Sequence, residues 1–204
     1  MSDGGQTPLR PASIRRDLEI IADMIGHGSR VLDVGCGDGA LLDLLAHRKG
    51  VDGRGIELSQ AGVNACVAHG LSVIQGDADT DLAYYPDDAF DYVVLTQTLQ
   101  ATRNPREVLS HLVRIGRHAV VSFTNFGHWR FRLGLLINGR MPVAGENGGN
   151  WYDTQNIHLC TIRDFQTLCE DLGLSVQRAL SLSRAGTARE LNSAGAVANL
   201  RGEE

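Results

Sequence analysis

Short apolar segments alternate along the chain with longer segments whose apolar residues recur at helical spacing. The short segments predict buried strands at residues 30–34, 53–57, 72–75, 91–95, 119–123 and 174–180. The longer ones predict helices at residues 14–25, 40–49, 60–69, 106–115 and 161–172, with Ser13 as a cap for the first. Strands that alternate with helices indicate βαβ units, right-handed crossovers and a parallel sheet.

This order predicts an α/β fold with a doubly wound, mostly parallel, Rossmann-like sheet in three α/β/α layers. Residues 14–182 are expected to form the domain, after a flexible arm at residues 1–13. Residues 125–158 interrupt the alternation and contain both tryptophans. A connection this long inside a compact domain is typical of a functional insertion. The tail at residues 183–204 shows no clear strand.

Composition and charge narrow the class of protein. The chain has 204 residues, with 43% hydrophobic and 21% charged residues, which is ordinary for a globular domain. A net charge of −5 argues against a nucleic-acid partner. The sequence has neither a signal-peptide pattern nor a long apolar run, so we expect a cytoplasmic protein without a membrane span. The four cysteines match no zinc spacing and are interpreted as reduced thiols; no metal site is expected.

The strongest motif is the loop from Asp33 to Gly39, which contains glycines at positions 35, 37 and 39. It lies between a predicted strand and a predicted helix, where glycines permit a tight turn and a close approach to a ligand. The helix N-terminus beyond it suits a carboxylate or a phosphate. The third glycine comes one residue earlier than in the dinucleotide fingerprint, which favours S-adenosylmethionine (SAM) or S-adenosylhomocysteine. A tight turn without a ligand is the alternative.

Polar residues follow three further strands at the same predicted edge of the sheet. Glu57 ends the second strand, where it can accept hydrogen bonds from both ribose hydroxyls. Asp77 can accept from the adenine amino group while the Ala78 backbone N–H donates to the ring; turn formation is the alternative. Asp79 is interpreted as structural. Gln97 is expected to border the methionine end of SAM, although a polar cap on the strand explains it equally well.

These segments resemble class I SAM-dependent methyltransferases over roughly residues 20–124. The resemblance implies the ligand-binding roles given above to Gly35, Gly37, Glu57 and Asp77, and it suggests a supporting role for Asp33 near the ligand's amino group. Longer runs are more specific: residues 95–102, 122–130 and 151–165 look like the methionine biosynthesis protein MetW family. That resemblance covers residues 14–182. It implies a bacterial protein of methionine synthesis that acts with homoserine O-acyltransferase.

The resemblance leaves methyl transfer undecided. One interpretation is a SAM-binding accessory protein of methionine biosynthesis; the alternative is a methyltransferase acting on an unidentified small molecule. Class I methyltransferases carry one more antiparallel strand after the sixth, and no such strand is evident before Glu204. Oligomeric state does not follow from the sequence.

The insertion supplies the candidates for a catalytic base. These are His128, Tyr152, Asp153 and His158, although a histidine in a loop is more often a structural hydrogen-bonding residue. The apolar segment at residues 130–138 is expected to pack over the sheet edge, or else to form a lid or a docking surface. Residues 144–150 are rich in glycine and asparagine, which indicates mobility.

Overall fold

The computed structural model describes residues 16–143, 150–182, 188–189 and 195–202. The predicted arm at residues 1–13, the cap at Ser13 and the Gly/Asn-rich residues 144–149 lie outside the described residues. So do residues 183–187, 190–194 and 203–204 of the tail.

The helices in the described residues are α1 Arg16–Met24, α2 Ala40–Lys49, α3 Gln60–Ala68, α4 Pro105–Ile115, α5 Trp129–Asn138 and α6 Ile162–Asp171. The strands are β1 Arg30–Val34, β2 Asp52–Glu57, β3 Val73–Gln75, β4 Phe90–Thr96, β5 Gly116–Thr124, β6 Leu174–Leu182, β7 Ala188–Arg189 and β8 Gly195–Gly202. Short 3₁₀ turns occupy Leu82–Tyr84 and Leu99–Ala101. Every predicted strand and helix is therefore present, with ends that differ by at most a few residues.

One sheet contains all of these strands, in the order β3-β2-β1-β4-β5-β8-β6-β7. Neighbouring strands from β3 to β5 pair in parallel. The predicted doubly wound, mostly parallel sheet is confirmed. The chain winds outward in both directions from the β1–β4 pair, so the switch in strand order falls between these two strands. Ligands of open α/β sheets bind at the carboxyl edge of such a switch point.

The antiparallel strand missing from the sequence interpretation is β8. It lies between β5 and β6 and pairs antiparallel with both. The expectation that the tail contributes no strand, and that the final strand is absent, is therefore wrong. Small and polar residues dominate Gly195–Gly202, and such residues have weak strand propensity. Its Val197 and Leu200 are fully buried, so tertiary packing stabilises this strand.

Strand residues alternate between two faces, and each face is covered by helices. On one face Val31, Val94 and Val120 pack with the apolar residues of α1 and α2. On the other face Leu32, Val93 and Val121 pack with α4 and α6. The arrangement confirms three α/β/α layers.

The helix starts at the carboxyl edge are fixed by local capping. Asn104 caps α4 by accepting from the Glu107 N–H, and Pro105 occupies the first helical position. Thr161 and Asp164 form a reciprocal capping box at the start of α6. These caps set where the loops after β4 and β5 return to the sheet.

The insertion contains a helix, α5, that the sequence interpretation did not specify. None of its residues is buried. The expectation that this segment packs over the sheet edge is therefore wrong. The described ring contacts of α5 are local: Phe131 stacks on Phe126 at 5.3 Å between ring centroids, and His128 contacts Trp129 and Phe131. Across the described ranges, no helix has the length and apolar character needed to cross a bilayer.

Candidate functional site at the carboxyl edge of β1 to β4

The glycine loop after β1 depends on left-handed backbone at three positions. Gly35, Gly37 and Gly39 have φ values of 71°, 59° and 81°. The Gly35 N–H donates to the Ile56 carbonyl at 2.8 Å, which holds the loop against β2. A Cβ on Gly35 would lie 2.6 Å from the Thr98 Oγ1, whereas a Cβ on Gly37 would meet nothing within 4 Å. The loop is therefore packed at its base and open at Gly37.

Glu57 is joined directly to this loop. Its carboxylate accepts from the Gly37 N–H at 2.9 Å and from the Ser59 N–H at 2.8 Å. A carboxylate has about four acceptor sites, so two backbone bonds orient Glu57 and leave capacity for two hydroxyl groups. The structure brings the two strongest sequence candidates, the loop and Glu57, into contact.

Asp33 lies beneath the loop with a side chain that is 1% exposed. Its Oδ1 is buried without a hydrogen-bond partner. Burial, together with the negative charge of Glu57, raises the pKa of this carboxyl to about 7. A neighbouring cation would stabilise the ionised form of this buried carboxyl, and the role of Asp33 near a ligand's amino group stays a prediction.

Asp77 follows β3 and is more constrained than the sequence suggested. Its carboxylate accepts from the Asp79 N–H at 2.9 Å and pairs with the Arg103 guanidinium. Asp79 in turn accepts from the backbone N–H groups of Arg103 and Asn104, which ties the loop to the start of α4. Contacts from Arg103 and Asn104 hold the pKa of Asp79 below its usual range even though burial opposes this shift. Ala78 lies between the two carboxylates and packs against the core.

Gln97 follows β4 with a φ of 56°, which is unusual for a residue other than glycine. Its N–H donates to the Ser122 carbonyl at 3.0 Å, and its Oε1 accepts from the Thr124 hydroxyl at 3.1 Å. The preceding Thr96 has a buried Oγ1 without a partner. Residues whose surroundings hold them in such a sparsely populated backbone conformation are common at ligand-binding sites. Gln97 thus both caps the strand ends and lies at the switch-point edge.

The four insertion candidates are not brought together. Within the described residues, no hydrogen bond, ion pair or ring contact joins any two of them. His128 stacks with Trp129 at the start of α5, and Tyr152 packs edge-on against Trp151. Asp153 and His158 are placed by local bonds: Asp153 accepts from the Asn150 amide, and His158 Nε2 lies 3.3 Å from the Arg103 carbonyl.

Gln100, a residue that the sequence reasoning did not select, organises this edge. Its buried side chain accepts from the Thr124 N–H at 3.0 Å and donates to the Thr124 carbonyl at 3.0 Å. Its own carbonyl accepts from the N–H groups of Ile157 and His158. Gln100 therefore joins the end of β5 to the returning segment of the insertion. A glutamine in a 3₁₀ turn gives no sequence signal for such a role, and the same holds for Arg103.

The cysteines are free thiols, as expected. Cys36 and Cys66 lie with their Sγ atoms 3.9 Å apart. Burial raises the pKa of both thiols and raises that of Cys160 and Cys169 to about 11, so none is prepared as a thiolate nucleophile. Within the described ranges, no cluster of three His, Cys, Asp or Glu side chains could hold a metal ion.

A groove of about 900 Å³ lies beside this edge, between the end of β5 and the start of α6. It is lined by Asn125, Phe126, Gly127, Arg132, Thr161, Ile162, Arg163 and Gln166. Two guanidinium groups and a helix N-terminus make it suitable for an anionic small molecule.

The sheet order, the glycine loop and the acidic end of β2 together define the class I SAM-dependent methyltransferase fold. A SAM-dependent methyltransferase of Thermotoga maritima superposes with a TM-score of 0.67 at 14% identity, covering 92% of this chain and 88% of that one. The family is more specific than the fold. The model of "Methionine biosynthesis protein MetW" matches residues 15–204, and the chain belongs to this family.

Two relatives show the sequence similarity of this chain to other proteins. It is 38% identical to the bifunctional methionine biosynthesis protein MetXA/MetW of Rhodopirellula baltica, over 78% of this chain and 27% of that protein. It is 29% identical to a ubiquinone biosynthesis O-methyltransferase of Alkalilimnicola ehrlichii, over 53% of this chain and 47% of that protein. The chain thus spans less than half the length of either relative.

Proposed function

We propose that this chain binds SAM, or S-adenosylhomocysteine, at the carboxyl edge of β1 to β4. We further propose that it serves methionine biosynthesis as an accessory protein acting with homoserine O-acyltransferase. The observation that carries the ligand assignment is the hydrogen bond between the Gly37 N–H and Glu57. It supports the proposal because Glu57, the candidate acceptor for the ribose hydroxyls, lies beside the open part of the glycine loop.

The residues of this edge fit the groups of SAM. Glu57 has acceptor capacity for two ribose hydroxyls, and the buried Asp33, whose Oδ1 has no hydrogen-bond partner, suits the ligand's ammonium group. Asp77 and Ala78 are the candidates for the adenine, and Gln97 is the candidate for the methionine end. Bound SAM would supply an electrophilic methyl group on a sulfonium.

The acyltransferase partner is supported by the relative from Rhodopirellula baltica, whose name joins MetXA and MetW in one bifunctional protein. Fusion holds the two functions of that protein at a high effective concentration, which supports the proposal that the corresponding separate chains act together. The absence of an assembled catalytic set among the described insertion residues also favours an accessory role.

Calorimetric titration tests the ligand assignment. Wild-type protein, Glu57→Ala and Glu170→Ala are titrated with SAM and with S-adenosylhomocysteine. Glu170 lies on α6 outside the site, so its substitution removes the same charge elsewhere. We expect Glu57→Ala to weaken binding by about 1–3 kcal/mol, since hydrogen bonds to a charged acceptor are lost, and Glu170→Ala to bind as the wild type does. Equal binding by both variants would refute the role of Glu57.

Co-elution of the purified chain with homoserine O-acyltransferase of the same organism tests the partner. We expect a stable complex and altered acyltransferase activity. Separate elution together with unchanged activity would refute the accessory role while leaving SAM binding intact.

The groove beside β5 favours a second candidate function, methyl transfer to an anionic small molecule. Its lining contains Arg132 and Arg163, and it adjoins the strand end that Gln97 contacts through Thr124. This function predicts conversion of SAM to S-adenosylhomocysteine in the presence of a carboxylate-bearing acceptor. Unchanged SAM across a panel of such acceptors, at concentrations where SAM is bound, would count against it.

A further inference from the structure

Helix α5 presents an apolar face to solvent. Trp129, Leu133, Leu136 and Ile137 follow the spacing i, i+4, i+7 and i+8, which places them on one side of a helix. We call these four residues the α5 apolar face. Their exposed fractions are 58%, 44%, 81% and 70%, respectively. In a surface helix that packs on its own domain, an apolar face of this kind points to the core. The α5 apolar face instead points to solvent.

The size of this face is that of the largest apolar patches on single-chain proteins, and such patches are often functional. At these exposures the four residues present on the order of 500 Å² of surface. Contiguous apolar patches above a few hundred Å² usually mark interaction sites. Each partner in a standard stable interface buries about 800 Å². The α5 apolar face therefore supplies more than half of one side of such an interface.

The composition of the helix matches the centre of a protein–protein interface. The Arg130 guanidinium lies over the Trp129 ring, 5.9 Å from its centroid. Arg130 and Arg132 flank the stripe on either side, as their positions on the helix dictate. Tryptophan and arginine dominate binding hot spots. The complementary surface is an apolar groove with an acidic rim.

We propose that the α5 apolar face is the docking surface for the homoserine O-acyltransferase. This inference rests on the proposed function, since the acyltransferase is the partner named there. Three observations point to it: the MetXA/MetW fusion, the area of the face, and the position of α5. The helix begins five residues after β5 and none of its residues is buried, so its apolar side chains are accessible to a partner.

The test compares variants of the full chain for binding to purified acyltransferase by calorimetry. Leu136→Glu and Trp129→Ala change the face. Val67→Glu is the matched control, because Val67 is an exposed apolar residue, 57% accessible, on a different helix. We expect each α5 variant to weaken acyltransferase binding at least about tenfold, and Val67→Glu to leave it unchanged. SAM affinity is measured in every variant and is expected to remain that of the wild type, which shows that the domain is folded.

Other outcomes overturn the proposal in distinguishable ways. If the wild type does not bind the acyltransferase, the proposed partnership fails and the docking inference with it. If the wild type binds and both α5 variants bind equally well, only the docking surface is wrong. A dimer of the isolated chain that Leu136→Glu dissociates, with acyltransferase binding unchanged, identifies a second copy as the occupant. Binding to anionic phospholipid vesicles that Trp129→Ala abolishes, again with acyltransferase binding unchanged, identifies a membrane surface.

Discussion

Replacing Asp33 with asparagine is expected to remove a pH dependence from the stability of the ligand-free protein. Asp33 is 1% exposed, and its Oδ1 has no hydrogen-bond partner. Burial, and secondarily the charge of Glu57, raises the pKa of this carboxyl from an ordinary value of 3.8 to about 7. Asparagine keeps the shape of the side chain and cannot ionise. The substitution therefore separates the charge of Asp33 from its packing.

The sign follows from proton binding. Between pH 3.8 and pH 7 the folded state holds a proton on Asp33 that the unfolded state has released, so the free energy of unfolding falls as pH rises. The contribution is fully present below pH 3.8 and is lost as pH passes 7. It amounts to about 4 kcal/mol in total, at about 1.4 kcal/mol per pH unit. About 2.5 kcal/mol of it falls between pH 5 and pH 8.

The assay is urea unfolding of wild type and Asp33→Asn at several pH values across that interval, without ligand. We expect the wild type to lose about 2.5 kcal/mol more than Asp33→Asn on going from pH 5 to pH 8. Asp171→Asn, at an exposed carboxylate, is the control and should follow the wild type. Glu57→Gln should give an intermediate slope because it removes the smaller of the two causes. Parallel curves for wild type and Asp33→Asn would refute the argument that Asp33 is held protonated by its surroundings.

Three further outcomes are expected. Glu57→Ala should weaken SAM binding by about 1–3 kcal/mol in calorimetric titration, as argued above. Gly39→Ala should lower the free energy of unfolding by more than 1 kcal/mol in urea titration, because φ is +81° and the new Cβ would lie 2.4 Å from a Leu71 methyl and 2.9 Å from the Cys66 Sγ. Gln100→Ala should cost about 1–3 kcal/mol, measured the same way, because it leaves buried backbone groups of Thr124 unpaired; a stability equal to wild type would contradict the role given to Gln100.

The sequence predicts those parts of the fold that depend on residues close together in the chain. Val31 to Val34 form an apolar run followed at once by the glycine loop, and this combination alone indicates a parallel strand, a turn and a helix. Glu57 ends β2, and Asp77 comes two residues after β3. Because the carboxyl ends of parallel strands share one edge, their convergence follows from topology.

The parts that were missed depend on contacts between distant segments. Strand β8 has few strand-forming residues, and it forms because β5 and β6 leave a gap between them. Arg103 reaches Asp77 from a loop 26 residues away, and Gln100 reaches Thr124 across 24 residues. The apolar residues of positions 130–138 predict a segment that packs over the sheet edge, a lid or a docking surface, and they do not distinguish among these. Whether the α5 apolar face points to the core or to solvent depends on how the rest of the domain packs.

The same distinction bears on whether the chain transfers methyl groups. The fold and the glycine loop bear on which ligand is bound. Proteins with the class I fold share these features whether or not they transfer the methyl group. Transfer to an oxygen or nitrogen acceptor further needs an aligned acceptor and, for many acceptors, a base within hydrogen-bond reach. The described contacts of the four candidates are with residues close to them in the chain or with backbone; the candidates are His128, Tyr152, Asp153 and His158. None of these contacts reaches Asp33, Glu57 or Gln97. The exposed Trp129, Leu136 and Ile137 of the insertion are the residues that the proposed docking to a partner protein would use.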